Sequence, residues 1–287
     1  MAHRNSQEYT AEPLDRTTGY LVQLYSPDLL PVEGGERLFF AGDTFCGRGW
    51  AKRLAQEEGR EKLVEQVLRI TGGAGMIINL EGVIRDNCAD PSGPLELGME
   101  TGLTLPLLKK LNVKAVSLAN NHSRDFGADV YQEMKERLAR AGIVPLENGS
   151  VTDLGLFRVV ALTDVENQSQ PKVALLTEKD LHCLDGASHD KPLFAFMHWG
   201  REYAQDPGPR EEALAARLEG KGVELIIGSH SHGAGGLICH RNSCRVFSLG
   251  NFIFDQHGPN ISGALLEVIF FPQGTYFLRW HPWRNPY

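Results

Sequence analysis

Polar side chains able to bind a metal ion or move a proton stand at the ends of short apolar runs along the sequence. Carboxylate and imidazole together form a ligand set suited to Zn²⁺, Mn²⁺ or Fe²⁺. Taken singly, each residue has an ordinary explanation, because an Asp or Asn after a strand is usually a turn former or a helix cap. A single bound cation would explain why carboxylate, amide and imidazole side chains follow so many of these apolar runs. The candidate metal ligands are Asp43, Glu81, Asn121, His198, His230 and His232.

The apolar runs before these residues predict buried strands, and the stretches between the runs predict helices. The predicted strands are 37–42, 75–80, 115–118, 193–197, 225–227 and 246–249. The predicted helices are 61–70, 103–111, 128–141 and 211–219. This alternation predicts an α/β domain. Because the carboxyl ends of strands in an open α/β sheet meet at one crevice, we expect the candidate ligands to converge there.

The pattern favours a single domain preceded by an irregular lead-in. Residues 1–36 are polar and interrupted by Pro and Gly, whereas residues 37–287 carry the alternating pattern. From Gly236 to His281 only strand-like runs separated by turn residues remain. This region predicts a C-terminal β-meander that closes one edge of a sheet.

Composition and charge argue against several classes of protein. Lys and Arg total 29 against 36 Asp and Glu, a formal net charge of −7, which argues against general binding to nucleic acid or to an anionic membrane. No run of about 18 apolar residues and no N-terminal apolar segment occurs, so we expect neither a membrane span nor a secretory signal. The five cysteines lack paired metal-ligand spacing. We expect reduced thiols, with Cys239 and Cys244 unbridged, in a cytoplasmic protein.

Motifs of several other catalytic classes are missing from the sequence. It contains no G-x-S-x-G nucleophile elbow, no H-E-x-x-H zinc helix and no G-x-x-x-x-G-K phosphate loop. The glycine-rich stretch 72–75 precedes a predicted strand, whereas a phosphate-binding loop opens a helix. These observations exclude nucleophilic-serine, zincin and P-loop chemistry.

A set of short motifs between about Leu38 and Asp255 resembles a known family. The motifs are Gly42-Asp43, Asn79-Leu80-Glu81, Ala119-Asn120-Asn121-His122, His198-Trp199-Gly200 with Glu202-Tyr203, Gly228-Ser229-His230-Ser231-His232 and Ser248-Leu249-Gly250-Asn251-Phe252. The sequence is similar to the CapA-type poly-γ-glutamate capsule-biosynthesis proteins, a branch of the calcineurin-like metallophosphoesterases. The resemblance implies a four-layer αββα sandwich of the metallophosphoesterase type with mixed sheets. It also implies one or two divalent metal ions, Mn, Fe or Zn, as the cofactor.

The resemblance further implies a role for each matched side chain. It assigns Asp43 and His232 to one metal, Asn121, His198 and His230 to a second, and Glu81 to a position between them. His122 matches the catalytic histidine and could protonate the leaving group. Asp125 could orient His122 or could cap the following helix, and the sequence leaves both roles open.

The sequence departs from the wider superfamily at the first two motifs. Phe45 stands where the D-x-H motif has its histidine, and Ile84 stands where an acid is usual. The centre could therefore hold one ion at the second position, or take a ligand from elsewhere, such as His257. The N-terminal membrane anchor common among capsule proteins of this type is not found, which weakens the capsule role but not the metal site.

Polar side chains beside the motifs are candidate substrate contacts, and arginines at such places suit a small anionic substrate. Three functions stay open. The first is a metal-dependent hydrolase that uses activated water on a phosphoester. The second is a metal-dependent enzyme that cleaves or forms an amide of the γ-glutamyl type, and the third is a non-catalytic binding or assembly module with an impaired metal centre. The candidate substrate contacts are Arg48, Arg85, Arg124, Arg201, Glu202, Tyr203 and Asn251.

Overall fold

The computed structural model describes residues 24–25, 34–88, 96–166, 176–185, 190–240, 243–256, 258, 261–272 and 274–285. Most of the lead-in expected at 1–36 lies outside these residues. Among the described helices, none has both the length and the hydropathy of a transmembrane span. The helices are α1 (Arg48–Ala55), α2 (Glu57–Thr71), α3 (Thr101–Lys110), α4 (Gly127–Arg140) and α5 (Pro209–Gly220), with a 3-10 helix at Glu178–Leu184. The strands are β1 (Leu24–Tyr25), β2 (Glu36–Thr44), β3 (Gly75–Leu80), β4 (Val83–Arg85), β5 (Gly98–Glu100), β6 (Val113–Ser117), β7 (Val144–Leu146), β8 (Val151–Asp153), β9 (Arg158–Thr163), β10 (Leu193–His198), β11 (Leu225–Ser229), β12 (Leu237–His240), β13 (Ser243–Val246), β14 (Asn251–Ile253), β15 (Gly263–Phe270) and β16 (Tyr276–Trp283).

In the described part of the chain, the strands form two large sheets and one short pair, β4 with β5. The first sheet has the order β1-β16-β15-β2-β3-β6-β7, with β14 also paired to β2. The second sheet has the order β12-β13-β11-β10-β9-β8. β2, β3, β6 and β7 run parallel, as do β9, β10, β11 and β13, whereas β15, β12 and β8 join antiparallel. Both sheets are mixed, and the predicted α/β class is confirmed.

The two sheets pack face to face, and helices cover their outer faces. Phe40 of the first sheet meets Phe194 and Phe196 of the second, with ring centroids 6.3 and 5.8 Å apart. These rings belong to a buried apolar cluster to which both sheets contribute. Helices α1 to α4 bury side chains against the outer face of the first sheet, and α5 and the 3-10 helix do so on the second. Burial of this apolar surface, worth about 25 cal/mol per Å², fixes the sheets relative to one another.

The central strands and four of the helices lie where the apolar pattern predicts them. For example, α4 buries Tyr131, Met134 and Leu138 on one face, and a left-handed Gly142 with φ of 77° follows its end. The pattern does not predict α1, because only two of its eight residues are buried. Helices are therefore recognisable from the sequence where a full apolar stripe faces the sheet.

The predicted C-terminal meander on one sheet edge is wrong, because this region divides between the two sheets. β12 and β13 form a hairpin at the edge of the second sheet, whereas β14, β15 and β16 belong to the first. The strand predicted at 246–249 ends at Val246, and the chain then crosses to the first sheet. At the crossing, Leu249 N–H donates to Gly228 O at 2.8 Å and Asp43 N–H donates to Gly250 O at 2.9 Å. Gly250 has a φ of 62°, and a Cβ there would lie 2.0 Å from a backbone oxygen, so the crossing requires glycine.

The expectation that Cys239 and Cys244 stay unbridged is also wrong. They are opposite partners in the β12–β13 hairpin, with Cα atoms 4.1 Å apart, and a disulfide joins them. The antiparallel register places opposite side chains on the same face, which cysteine spacing alone does not reveal. Disulfides persist mainly in oxidising compartments. The cytoplasmic location therefore stays a prediction, with this bond as an observation against it.

Candidate metal centre

The carboxyl ends of strands from both sheets bring the expected ligands to one place. Asp43 lies near the end of β2 and Glu81 directly follows β3, both in the first sheet. His198 ends β10 and His230 directly follows β11, both in the second sheet. Each of the four is at most 6% exposed. The cluster is therefore buried where the strand ends of the two sheets meet.

Two overlapping groups of carboxylate and imidazole could each hold a metal ion. Glu81, His198 and His230 form one group, and Asp43, Glu81 and His232 form the other. Within each group, one ligand atom from every residue lies within 4.8 Å of the others. Glu81 belongs to both groups, as a carboxylate shared between two ions must. The amide of Asn121 adjoins the first group, with its Oδ1 2.8 Å from His198 Nε2.

Hydrogen bonds orient the imidazole of His198 within the cluster. Ser229 Oγ donates to Met197 O and is in hydrogen-bond contact with His198 Nδ1, both at 3.0 Å. This arrangement turns Nε2 toward Asn121 Oδ1, at 2.8 Å, and toward Glu81, whose Oε1 is 3.9 Å away. A ring nitrogen with two oxygens close to it is a donor set suited to a divalent cation.

Backbone and amide donors fix the carboxylate of Asp43. His230 N–H donates to its two oxygens at 3.0 and 3.2 Å, and Asn79 Nδ2 donates to Oδ1 at 2.8 Å. Charge-assisted bonds of this kind set the orientation of a carboxylate. The same turn places His230 and His232 at positive φ values of 91° and 59°. Backbone strain in non-glycine residues clusters at functional sites, and this strain is the local cost of aiming two histidines at one point.

Burial and mutual charge shift the pKa values of the clustered groups. Burial, and then the charge of Asp43, raise the pKa of Glu81 to about 8. Burial lowers the pKa of His230 to about 4 and holds the pKa of His198 well below its ordinary value. Burial also opposes the charged form of His232, but its hydrogen bond to Asp43 and the charge of Glu81 raise its pKa to about 9. Strongly perturbed pKa values in a buried cluster are typical of functional sites.

Two buried polar atoms of the cluster have no hydrogen-bond partner among the described residues. They are Glu81 Oε2 and His230 Nδ1. An unsatisfied buried polar atom costs roughly 1–3 kcal/mol, and both atoms belong to the ligand group that includes His198. Carboxylate oxygen with imidazole nitrogen suits Zn²⁺, Mn²⁺ or Fe²⁺. The residues therefore fit a divalent cation.

His122 and Asp125 form a hydrogen-bonded pair after β6. His122 Nδ1 lies 2.8 Å from Asp125 Oδ2, which also accepts the Leu97 N–H at 2.9 Å. The Asp125 side chain is fully buried and that of His122 is 18% exposed. Burial opposes the charged form of His122, but the bond to Asp125 and the charge of Glu81 raise its pKa. At the start of α4, Phe126 is the N-cap residue and no side chain caps the helix, so Asp125 serves His122 and not the helix.

Some of the expected substrate contacts lie at the histidines of the cluster. Asn251 Oδ1 accepts from His232 Nδ1 at 2.8 Å, so Asn251 orients this ring. The ring of Tyr203 lies 6.0 Å from that of His232, and the side chain is 46% exposed. Arg201 and Glu202 are its exposed neighbours in the same turn. This turn therefore lies at the solvent side of the cluster.

The remaining three expected contacts are arginines whose guanidinium groups lie over aromatic rings. Arg48 also donates to Asp255 through two nitrogens, at 3.1 and 2.5 Å. Arg124 is exposed and lies over Tyr131 of α4, and among the described residues no contact joins it to the ligand groups. The ring partners are Phe45 for Arg48, Phe126 for Arg85 and Tyr131 for Arg124, with guanidinium carbons 5.0, 4.4 and 4.7 Å from the ring centroids.

The two positions that depart from the superfamily motifs are apolar and buried. Phe45 has no exposed surface, and its ring lies 5.5 Å from that of Phe254. Phe254 in turn lies 5.0 Å from the ring of His232. Ile84 belongs to the core between the first sheet and its helices. Phe45 and Phe254 thus form an apolar wall beside the cluster, and His257, the suggested substitute ligand, lies outside the described residues.

Sequence reasoning assigned no role to the amides that connect the ligands. Asn79 Nδ2 contacts both Asp43 Oδ1 and His198 Nδ1, at 2.8 and 3.1 Å. Asn120 Nδ2 donates to Asn79 Oδ1 at 3.2 Å, and Asn120 Oδ1 accepts the N–H of His122 at 3.1 Å. The available signal was a polar residue inside an apolar strand, since Asn79 interrupts the run Gly75–Leu80. These two amides link the candidate metal ligands to the His122 pair.

The fold and the cluster together define a class: an α/β protein of two packed sheets with metal-ligand side chains at their joined strand ends. The family model described as "Bacterial capsule synthesis protein PGA_cap" matches residues 37–179 and 160–256. The chain belongs to this family, and the resemblance inferred from the motifs is confirmed.

Several bacterial proteins with names that refer to capsule or PGA biosynthesis are similar to this chain. The chain is 24% identical over 261 residues to "PGA biosynthesis protein CapA" of Bacillus subtilis, covering 82% of this chain and 66% of the relative. It is 29% identical over 176 residues to "Capsule biosynthesis protein CapA" of Bacillus anthracis, covering 53% and 43%. A "Probable polyglutamine synthesis accessory protein" of Mycobacterium tuberculosis is 24% identical over 186 residues, covering 54% and 48%. The matches thus span between 43% and 66% of the relatives' lengths.

A solved crystal structure shares the fold at low sequence identity. It matches with a TM-score of 0.51 and 11% identity, covering 85% of this chain and 98% of that one. At this identity the likeness concerns the fold alone. Function must therefore be argued from the site.

Proposed function

We propose that this protein is a metal-dependent hydrolase of the metallophosphoesterase type, built on a four-layer αββα sandwich. The observation that supports this most strongly is the pair of buried ligand groups that share Glu81. The cofactor is one or two divalent ions, Mn, Fe or Zn, since the donors are carboxylate, amide and imidazole. The proposed ligands are Asp43, Glu81, Asn121, His198, His230 and His232.

A divalent cation supplies Lewis-acid chemistry when bound, because it lowers the pKa of water and polarises the bond to be broken. His122 supplies the proton for the leaving atom from its Nε2, since its Nδ1 is held by Asp125 at 2.8 Å. Asp125 is the positioning residue that fixes the ring, and the hydrogen bond raises the share of protonated imidazole at neutral pH. Tyr203 and its neighbours in the turn form the solvent-side border of the substrate site.

The substrate class proposed first is a small phosphoester, because metal clusters of this kind stabilise anionic phosphoryl groups. A second candidate is an amide of the γ-glutamyl type. Family membership favours this second candidate, since the matched relatives are named for capsule and poly-γ-glutamate biosynthesis. Both reactions use the same residues in the same roles.

A substrate screen with metal analysis tests the proposal. The purified protein is loaded with Mn²⁺, Fe²⁺ or Zn²⁺, its metal content is determined, and it is assayed against phosphomonoesters, phosphodiesters and γ-glutamyl amides. We expect metal-dependent turnover that a chelator abolishes. Turnover of amides alone would move the assignment to the second candidate, and no turnover by metal-loaded protein on any substrate would contradict a hydrolase.

The role of His122 gives a direct prediction. His122→Ala should lower kcat by about 10²–10⁴-fold, the range for loss of a general acid, while the metal content stays unchanged. Asp125→Asn keeps the shape of the pair but removes its charge, so it should lower kcat less and displace the pH profile to lower pH. Full activity of His122→Ala would contradict the assigned role.

A further inference from the structure

The hairpin strand β12 forms an open edge of the second sheet. Among the described residues it pairs with β13 on one side and with no strand on the other. The other edge strands of the two large sheets, β1, β7 and β8, have two or three residues, and β7 contains Pro145. β12 has four residues and carries neither Pro nor Lys, the residues with which natural edge strands discourage pairing. Of these edges, β12 is therefore the best suited to accept another strand.

The register of the hairpin shows which backbone groups of β12 face outward. Cys239 and Cys244 are opposite partners, with Cα atoms 4.1 Å apart. In an antiparallel pair so short a separation marks a non-hydrogen-bonded position, since hydrogen-bonded partners lie about 5.5 Å apart. The N–H and C=O of Cys239 therefore point away from β13, and those of Leu237, two positions earlier, do the same. These groups can form ladder hydrogen bonds with an added strand.

A small apolar cavity lies between β12 and α5. Its volume is about 140 Å³, and its apolar walls include Trp199, Phe247, Ala215 of α5 and Ile238 of β12. Ile238 is 50% exposed, the most of any large apolar side chain among the described residues. An apolar cavity of about 150 Å³ holds one benzene-sized group. The cavity can therefore accept a single apolar side chain.

Acidic side chains border the same cavity. Arg245, on its wall, is already engaged, because it donates to Glu212 at 2.8 Å and to Glu219 at 2.5 Å. These two carboxylates offset its charge, so the other acids of the border give the cavity an excess of negative charge. The ionisable side chains that line it are Asp206, Glu211, Glu212, His240 and Arg245.

We propose that β12 and this cavity form a docking surface for an extended segment of a partner protein, which adds a strand to the second sheet. In this mode of recognition, main-chain hydrogen bonds give affinity and pockets for alternate side chains give specificity. Side chains of an added strand face α5 at every second position. The partner segment therefore carries an apolar residue for the cavity and, two positions away, a Lys or Arg for the acidic border. Docking here requires neither a metal ion nor turnover, so it is independent of the proposed function.

Peptide titrations into the full chain, followed by fluorescence anisotropy, test the docking surface. The probe is a labelled octapeptide with Thr at odd positions and Leu and Lys in turn at even positions. One comparison peptide has Glu in place of Lys, and another has Pro in place of its two central Thr residues. We expect the Lys peptide to bind at least tenfold more tightly than either comparison peptide, because the first reverses its charge and the second removes ladder hydrogen bonds.

Matched variants locate the binding on β12. Ile238→Lys places a cation at the cavity and should weaken binding of the Lys peptide at least tenfold. Asp206→Asn should weaken it about threefold, as for an exposed ion pair. Leu156→Lys, at an exposed apolar residue between β8 and β9 at the opposite edge of the sheet, is the control and should bind as the wild type does. Amide exchange of Cys239, followed by NMR, should slow when the peptide binds.

The outcomes decide between a partner segment, a second copy of this chain and no docking at all. Selective binding of the Lys peptide that is lost in Ile238→Lys, with slowed exchange at Cys239, supports the surface. Absent binding, equal binding of the three peptides, or equal binding by wild type and Ile238→Lys overturns it, whether or not the protein hydrolyses a substrate. Sedimentation of the peptide-free protein tests the second copy, since a dimer that Ile238→Lys dissociates would overturn the assignment to a partner protein.

Discussion

Glu81 is the residue on which the whole centre depends, because its carboxylate is common to both ligand groups. It is buried, its Oε2 has no partner among the described residues, and its pKa is raised to about 8 by burial and by Asp43. A buried carboxylate in this state costs free energy unless a cation or a proton neutralises it. A bound divalent ion would satisfy the carboxylate and the imidazoles around it together.

His230 gives the clearest residue-scale prediction. Its Nδ1 lacks a partner, and its backbone is strained at a φ of 91°. His230→Ala should lower the metal-to-protein ratio by at least half after dialysis, as determined by elemental analysis, because one ligand of the first group is lost. His182→Ala, an exposed histidine paired with Asp185, is the matched control and should keep the wild-type ratio. An unchanged ratio in His230→Ala would remove His230 from the ligand set.

The sequence pointed to the side chains that cluster here, but it did not point to the residues that hold them in place. Asp43, Glu81, His198 and His230 were recognisable because each ends or follows an apolar run, and strand ends converge. Asn79 lies inside its strand, where alternation does not show that its amide will meet a histidine of the other sheet. Contacts between sheets depend on how the sheets pack, which no local pattern encodes.

The sequence predicts the strands and helices that have a regular apolar pattern. It does not predict the segment in which the chain crosses from the second sheet to the first. β2, β3, β10 and β11 are central strands with buried runs, so the pattern locates them. The segment after β13 looks like a strand by hydropathy, yet it leaves the second sheet at Phe247 and passes close to Gly228, where a Cβ would lie 1.7 Å from Phe247 O. Close backbone approach, not side-chain pattern, decides the path there.

The β12–β13 hairpin carries an element-scale prediction. Its disulfide closes a short loop, since Cys239 and Cys244 are five positions apart in the sequence. The Cys239→Ser, Cys244→Ser double variant should lose about 2 kcal/mol of unfolding free energy, the loop-entropy value for so short a loop. Denaturant unfolding measures the change, with Cys183→Ser, a free cysteine, as the control. Equal stability of the double variant and the control would show that the bond does not brace the edge of the second sheet.

At the scale of the molecule, the packing of two mixed sheets is what brings the ligands together. Asp43 and Glu81 come from one sheet, and His198 and His230 from the other, so the cluster forms only when the apolar layer between the sheets is complete. The α/β class followed from strand–helix alternation, whereas the division of the C-terminal strands between sheets did not, because pairing partners distant in sequence leave no local signal. Folding and metal binding should therefore be coupled.

Anomalous diffraction from crystals soaked in Mn²⁺ would show whether the buried cluster binds a cation, since it locates the ion without assuming any activity. We expect a peak within about 2.0–2.3 Å of a Glu81 oxygen and a nitrogen of His198 or His230, typical metal–ligand distances. A second peak between Asp43 and His232 would establish two ions. If Mn²⁺ is absent from this cluster at saturating concentration, and the same side chains are bonded only to water and to one another, the cluster is not a metal centre.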